Sequence, residues 1–162
     1  MDMMQNICIN ARFLCVLGLL CVLGISSCSD DEKTNPMLMK SDNARPTWTV
    51  PDDLYKTFGS TMAVQVTVQD ELMPYVSDDD LMCATINGEI RAVSGLLRTL
   101  DEVCFSLVIA GDAGDSNNGK VSLSYYCSQL KRIYTVSDWK PFTPGLSPMQ
   151  DGKPYVVRFI TE

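Results

Sequence analysis

Histidine is absent from this 162-residue chain. That absence removes Ser-His-Asp and Cys-His nucleophile activation, histidine-ligated zinc, and the commonest general base at neutral pH. Catalysis would fall to carboxylates, lysine, tyrosine or cysteine, and the sequence reads as a non-enzyme. Cations are scarce too: 13 Lys and Arg stand against 20 Asp and Glu, a formal charge of −7. Phosphate-backbone binding needs clustered Lys and Arg, so no nucleic-acid partner is expected. The same charge repels an anionic headgroup layer, which argues against attachment through a basic patch. There is no apolar run of the roughly 20 residues a spanning helix needs. There is also no clear internal repeat.

What is present begins with an apolar run, FLCVLGLLCVLGI, over residues 13–25, preceded by Arg12. It is too short to span a bilayer and has the size of the apolar region of a secretory signal. The run closes on Ile25-Ser26-Ser27-Cys28, an aliphatic residue, two small residues and a cysteine. This resembles the lipobox of bacterial lipoproteins. The resemblance implies a diacylglyceryl thioether on Cys28, cleavage before it and acylation of the new amino terminus. Several acyl chains together exceed what stable anchoring requires. Behind the cysteine, Ser29-Asp30-Asp31-Glu32 resembles the acidic export tag of surface-displayed lipoproteins in Bacteroidota. It implies a lipid-anchored position on the outer membrane facing the cell exterior, with the periplasmic face as the alternative.

The chain divides accordingly into a lipoprotein signal peptide (1–27), a flexible acidic tether (28–45) and one domain (46–162). From Pro46 onward short apolar runs alternate with polar residues. Met62, Val64, Val66 and Val68 share one face, the period-two pattern of a strand with one buried side. Leu81–Ile86 and Glu89–Val93 flank Asn87-Gly88, a strong signal for a tight hairpin. Val103–Ala110 continues the pattern, followed by a Gly/Asp/Asn loop and a strand bearing Val121, Leu123, Tyr125 and Cys127. Leu130–Val136 reads as its hairpin partner, and Tyr155–Thr161 as a terminal strand. The intervening SDWKPFTPGLSPMQDGKP holds four prolines, which are hostile to a helix or a central strand. The expectation is an all-β domain. It takes the form of a single two-sheet sandwich, immunoglobulin-like or jelly-roll, with seven to eight strands and little or no helix after the leader.

The stretch from Asp79 to Val93, with its acidic entry, strand, Asn87-Gly88 turn and return strand, resembles poorly characterised Bacteroidota surface domains. Ser60–Val64 looks like the strand that opens such domains, and the resemblance extends from Trp48 to Phe159. The chain departs from the pattern at Ile90 and Ala92, where cysteine and glycine are expected. The resemblance implies a surface-displayed β-sandwich and no settled activity.

Candidate sites follow from residue type. Asp112, Asp115 and Asn117 lie in GDAGDSNNG, and oxygen-rich loops can hold Ca²⁺, which takes six to eight hard ligands. The spacing lacks the closing glutamate of an EF-hand, and a solvated turn is the plainer account. A structural Ca²⁺ is the one cofactor considered; otherwise none is expected. Trp139, Trp48 and Tyr126 are candidates for a sugar-binding platform, against the plainer role of plugging a core or an edge. Cys83, Cys104 and Cys127 fall on strands, as one disulfide with a spare or as buried thiols. Asp101-Glu102 reads as a solubilising turn, and Glu89 with Arg91 as an ordinary surface ion pair. The functional expectation is a membrane-anchored, non-catalytic binding or adhesion module for an extracellular glycan or protein. Its alternative is a structural subunit of a surface assembly joined by strand addition; a polysaccharide hydrolase ranks below both.

Overall fold

The computed structural model describes residues 35–160. Cys28, the expected lipidation site, lies outside the described residues. The fold is mostly β: seven strands form one curled sheet in the order β6-β5-β2-β3-β4-β1-β7. The strands are β1 (Ser60–Val68), β2 (Leu81–Ile86), β3 (Glu89–Arg98), β4 (Val103–Gly111), β5 (Lys120–Cys127), β6 (Arg132–Pro141) and β7 (Tyr155–Val157). Two short α-helices, α1 (Leu54–Thr57) and α2 (Ala113–Asn118), and two 3-10 turns complete the described elements.

The period-two pattern of β1 is kept: Met62, Val64, Val66 and Val68 are all buried, with more exposed residues between them. Each such side chain taken out of water contributes about 1.5–3 kcal/mol. Asn87 and Gly88 adopt φ of 52° and 82°, the left-handed pair that the tight β2–β3 turn requires. β3 then runs further than the sequence pattern suggests and serves two neighbours. Its first part pairs with β2 as far as Gly95, and Leu96–Arg98 pair with β4. A long strand that changes partner in this way bends the sheet on itself.

The curl brings side chains from distant strands into one core. Phe105 of β4 meets Tyr125 of β5 edge-on at 5.7 Å between ring centroids. Phe159, just after β7, stacks on Tyr125 at 5.9 Å and approaches Tyr134 of β6 at 5.8 Å. One end of the half-barrel is sealed by Phe142, whose ring lies over Gly111. A Cβ at that position would sit 2.5 Å from the ring, so only glycine admits it. At the other end Gln69 is buried between both termini of the described chain. Its Nε2 donates to Met37 Sδ at 3.1 Å, and its Oε1 accepts the Phe159 N–H at 2.7 Å. Met37 belongs to a 3-10 turn, Pro36–Leu38, in the stretch read as a tether, and its side chain is buried.

β6 departs most from the sequence pattern. It continues past Val136 to Pro141, through residues assigned to the proline-rich loop. A register shift opposite Val121–Leu123 breaks the alternation. Asp138 takes φ of 52° there, and its N–H donates to Ser122 Oγ at 3.2 Å. Because β6 is an edge, Pro141 leaves no sheet partner without a donor. β7 is shorter than expected, three residues paired parallel to the far half of β1.

Candidate functional site

Asp78, Asp79 and Asp80 are locally alike but differ sharply in placement. Asp78 and Asp79 are exposed and pair with Arg98 at 2.7 Å and Arg45 at 3.8 Å. Asp80 is fully buried at the entry to β2. Its Oδ1 accepts from Ser128 N–H at 2.8 Å and Ser128 Oγ at 2.7 Å. Its Oδ2 accepts from Ser77 N–H at 3.0 Å and from the Tyr125 hydroxyl at 2.6 Å. Burial first, and then the Asp80 hydrogen bond and charge, push the Tyr125 hydroxyl well above the ordinary tyrosine range. Two donors on each oxygen make this a structural clamp, tying β2 to the β5–β6 turn.

The second buried charge is Arg91, and the surface ion pair expected with Glu89 needs correcting. Arg91 is 5% exposed. It is the extra residue on β3 where the β2–β3 register shifts, so it turns inward at that end of the sheet. Its guanidinium lies 3.7 Å from the Phe58 ring centroid. It faces Glu89 Oε2 at 3.0 Å and Asp115 Oδ2 at 3.4 Å, while Nε and Nη1 find no hydrogen-bond acceptor among the described residues.

Asp115 belongs to the stretch proposed for calcium. The expected Asp/Asn turn is the helix α2, opened by a reciprocal capping box. Asp112 Oδ1 accepts the Asp115 N–H at 2.9 Å, and Asp115 Oδ2 accepts the Asp112 N–H at 3.1 Å. Asp115 is buried against Arg91, whereas Asn117 is exposed. These carboxylates are engaged by backbone donors and a guanidinium. Among the described residues no three His, Cys, Asp or Glu side chains gather as a metal site.

Among the described residues no ring contact joins the three aromatic candidates Trp139, Trp48 and Tyr126. Tyr126 is buried on β5, on the face opposite Tyr125, and Trp48 is half-buried ahead of β1. Trp139 meets Tyr155 edge-on at 5.9 Å, linking the two edge strands β6 and β7. Lys140 Nζ lies 5.5 Å from the Trp139 centroid and 4.5 Å from that of Tyr155. The Trp139–Tyr155 and Tyr134–Phe159 contacts thus join side chains of β6 to those of β7 and the residues just after it.

All three cysteines on the strands are free and buried. Burial pushes the Cys83 thiol up to about 11. It also raises Cys104, with the Glu102 charge adding to it, and Cys127. A buried thiol held protonated is a poor nucleophile.

What the sequence did not single out is the outer edge of β6. A groove of about 670 Å³ runs along it, lined by every residue from Arg132 to Ser137 and by Ile160 from beyond β7. The sequence signal was the β-branched run Ile133, Thr135 and Val136, which marks a strand but does not say that it ends a sheet. Among the described residues no helix is long and apolar enough to cross a membrane. No protein-family model matches this chain, and neither a curated protein nor a solved structure matches it.

Proposed function

We propose that this chain is a lipid-anchored, non-catalytic binding module on the outer-membrane surface, taking an extracellular glycan or protein as ligand. The observation that carries the reading is the open side of the half-barrel, where a groove follows the free edge of β6 beside the Trp139–Tyr155–Lys140 cluster. Grooves that combine apolar and polar lining are where ligands bind. The buried, protonated thiols and the carboxylates engaged by backbone and guanidinium favour a non-catalytic role. The finer fold reading is a two-sheet sandwich of immunoglobulin-like or jelly-roll type. In support, the inner faces of β6-β5-β2 and of β4-β1-β7 turn onto one core, with β3 crossing between them. A second reading, a structural subunit joined to its neighbours by strand addition, is favoured by the same unpartnered edge.

The test has two parts. Mass spectrometry of the full chain from a Gram-negative host is expected to find a mature protein starting at acylated Cys28, with external protease removing it from intact cells. Unmodified Cys28 or an uncleaved leader overturns the anchor. A glycan array is then expected to report binding that Trp139→Ala weakens, whereas polysaccharide cleavage by the purified protein overturns the non-catalytic reading.

A further inference from the structure

The charge of this chain is not evenly spread. Residues 35–119 carry five cations against thirteen carboxylates. Residues 120–160, which form β5, β6 and β7, carry six cations against two carboxylates. The acidic part pairs much of its positive charge: Arg45, Arg91 and Arg98 each have a carboxylate within 4.0 Å. In the basic part only Lys120 does, with Asp138 at 3.1 Å. Among the described residues Lys131, Arg132, Lys140, Lys153 and Arg158 have no such partner.

Of these cations Arg132 lines the β6 groove, Lys131 precedes it in the exposed turn, and Lys140 lies further along the same strand. Arg158, two residues before the groove residue Ile160, is exposed like it, while Val157 and Phe159 are buried. Cations on an edge strand are also a common protection against unwanted pairing. In β6 the charged residues, Arg132, Asp138 and Lys140, stand toward its two ends, and Ile133–Ser137 between them holds none. Ile133 is 36% exposed and Ile160 83% exposed on either side of the groove. An edge whose middle, Ile133–Ser137, is uncharged and exposes Ile133 beside Ile160 is suited to receiving a strand.

We infer that the free edge of β6 binds an acidic polypeptide segment in extended form, as an eighth strand on the sheet. This rests on the binding-module reading and names its ligand as protein. Six residues of groove accommodate about 20 Å of extended chain. Backbone pairing supplies affinity, alternate side chains meet Ile133 and Ile160, and acidic residues meet Lys131, Arg132 and Arg158. Strand registry fixes orientation, while the charges favour acidic over basic partners and weaken with salt.

The probe is an eight-residue peptide of alternating valine and glutamate, titrated against the full chain in detergent. A valine–lysine peptide, and a valine–glutamate peptide N-methylated at every second residue, serve as controls. The acidic peptide is expected to bind and the basic one not. N-methylation, which removes the backbone donors without changing charge, is expected to cost at least about tenfold in affinity. The double variant Lys131→Glu/Arg158→Glu alters two exposed residues with no ion-pair partner and is expected to reverse the preference. Failure of the acidic peptide, equal binding of the basic one, or indifference to N-methylation overturns the inference. If a glycan binds while the acidic peptide does not, the inference fails and the binding-module reading survives; if nothing binds, both fail.

Discussion

Asp80 and Arg91 lie at opposite ends of the β2–β3 hairpin, and each puts an ionisable group in a nearly dry setting. At Asp80 the surroundings are neutral: four donors, two per oxygen, and no cation within ion-pair distance among the described residues. At Arg91 the surroundings are charged and aromatic, yet two of its three nitrogens lack an acceptor. The first arrangement is matched atom by atom, so its stability depends on every member. The second is matched in net charge, and charge matching at low dielectric is largely offset by the cost of removing both ions from water. The two ends of the domain should therefore answer mutation differently.

The largest effect is expected at Asp80. Asp80→Ala takes the acceptor from four donors at once, one buried and three part-buried, and we expect a loss of roughly 3–5 kcal/mol in urea unfolding. A loss below about 1 kcal/mol would break the comparison at its stronger side. Tyr125→Phe removes one of the four donors and leaves the ring against Phe105, Phe159 and Tyr134. The expected loss is about 1.5–3 kcal/mol, since the bond is charge-assisted. The double variant Asp80→Ala/Tyr125→Phe, which removes the stranded hydroxyl as well, should lose less than Asp80→Ala alone, and a loss equal to the sum of the two singles would show that the phenol acts elsewhere.

Alkali sharpens the contrast by another route. Burial, with the Cys127 charge adding to it, pushes the Tyr134 hydroxyl up to about 12, and Tyr125 is raised as well. An unfolded tyrosine ionises near about 10. The folded state therefore holds these protons more tightly, and their contribution is complete below about pH 10 and lost as pH climbs toward about 12. The melting temperature should fall across that window, and Tyr134→Phe should shallow the fall.

These two residues also mark how far the sequence could be read. β1, the Asn87-Gly88 hairpin, β4 and β5 are legible because period-two burial and left-handed turn chemistry are local. The end of β6 is not legible. The register shift at Asp138 interrupts the alternation, and Pro141 reads as a loop residue until the strand is known to be an edge. Asp80 cannot be told from Asp78 and Asp79 along the chain, because its partners Tyr125 and Ser128 lie more than forty residues away. Glu89 and Arg91 have the spacing of a surface pair, and only the shifted register and the arrival of Phe58 and Asp115 bury the arginine. The candidate groove is hidden for a similar reason. β-branched residues predict a strand at Ile133–Val136, whereas an unpartnered edge is a property of the whole sheet.

The smallest effect is expected at the Arg91 end, and it takes a cycle of variants to see it. Arg91→Met alone keeps much of the volume against Phe58 but leaves Asp115 buried without its cation, a cost of about 1–3 kcal/mol. Asp115→Asn keeps an oxygen for the Asp112 N–H, and so keeps the cap of α2, while leaving Arg91 only the exposed Glu89. The double variant removes both charges and retains shape and cap. Buried ion pairs replaced by well-packed groups of similar volume are often neutral or stabilising, so the double should fall within about 1 kcal/mol of the unaltered protein. It should also be more stable than Arg91→Met alone, a coupling that additive, unconnected sites would not give. If instead the two single losses simply add, the pair contributes nothing through its contact, and Arg91 is held by Phe58 packing alone. That outcome would leave Asp80 as the one buried charge in the pair whose partners are indispensable.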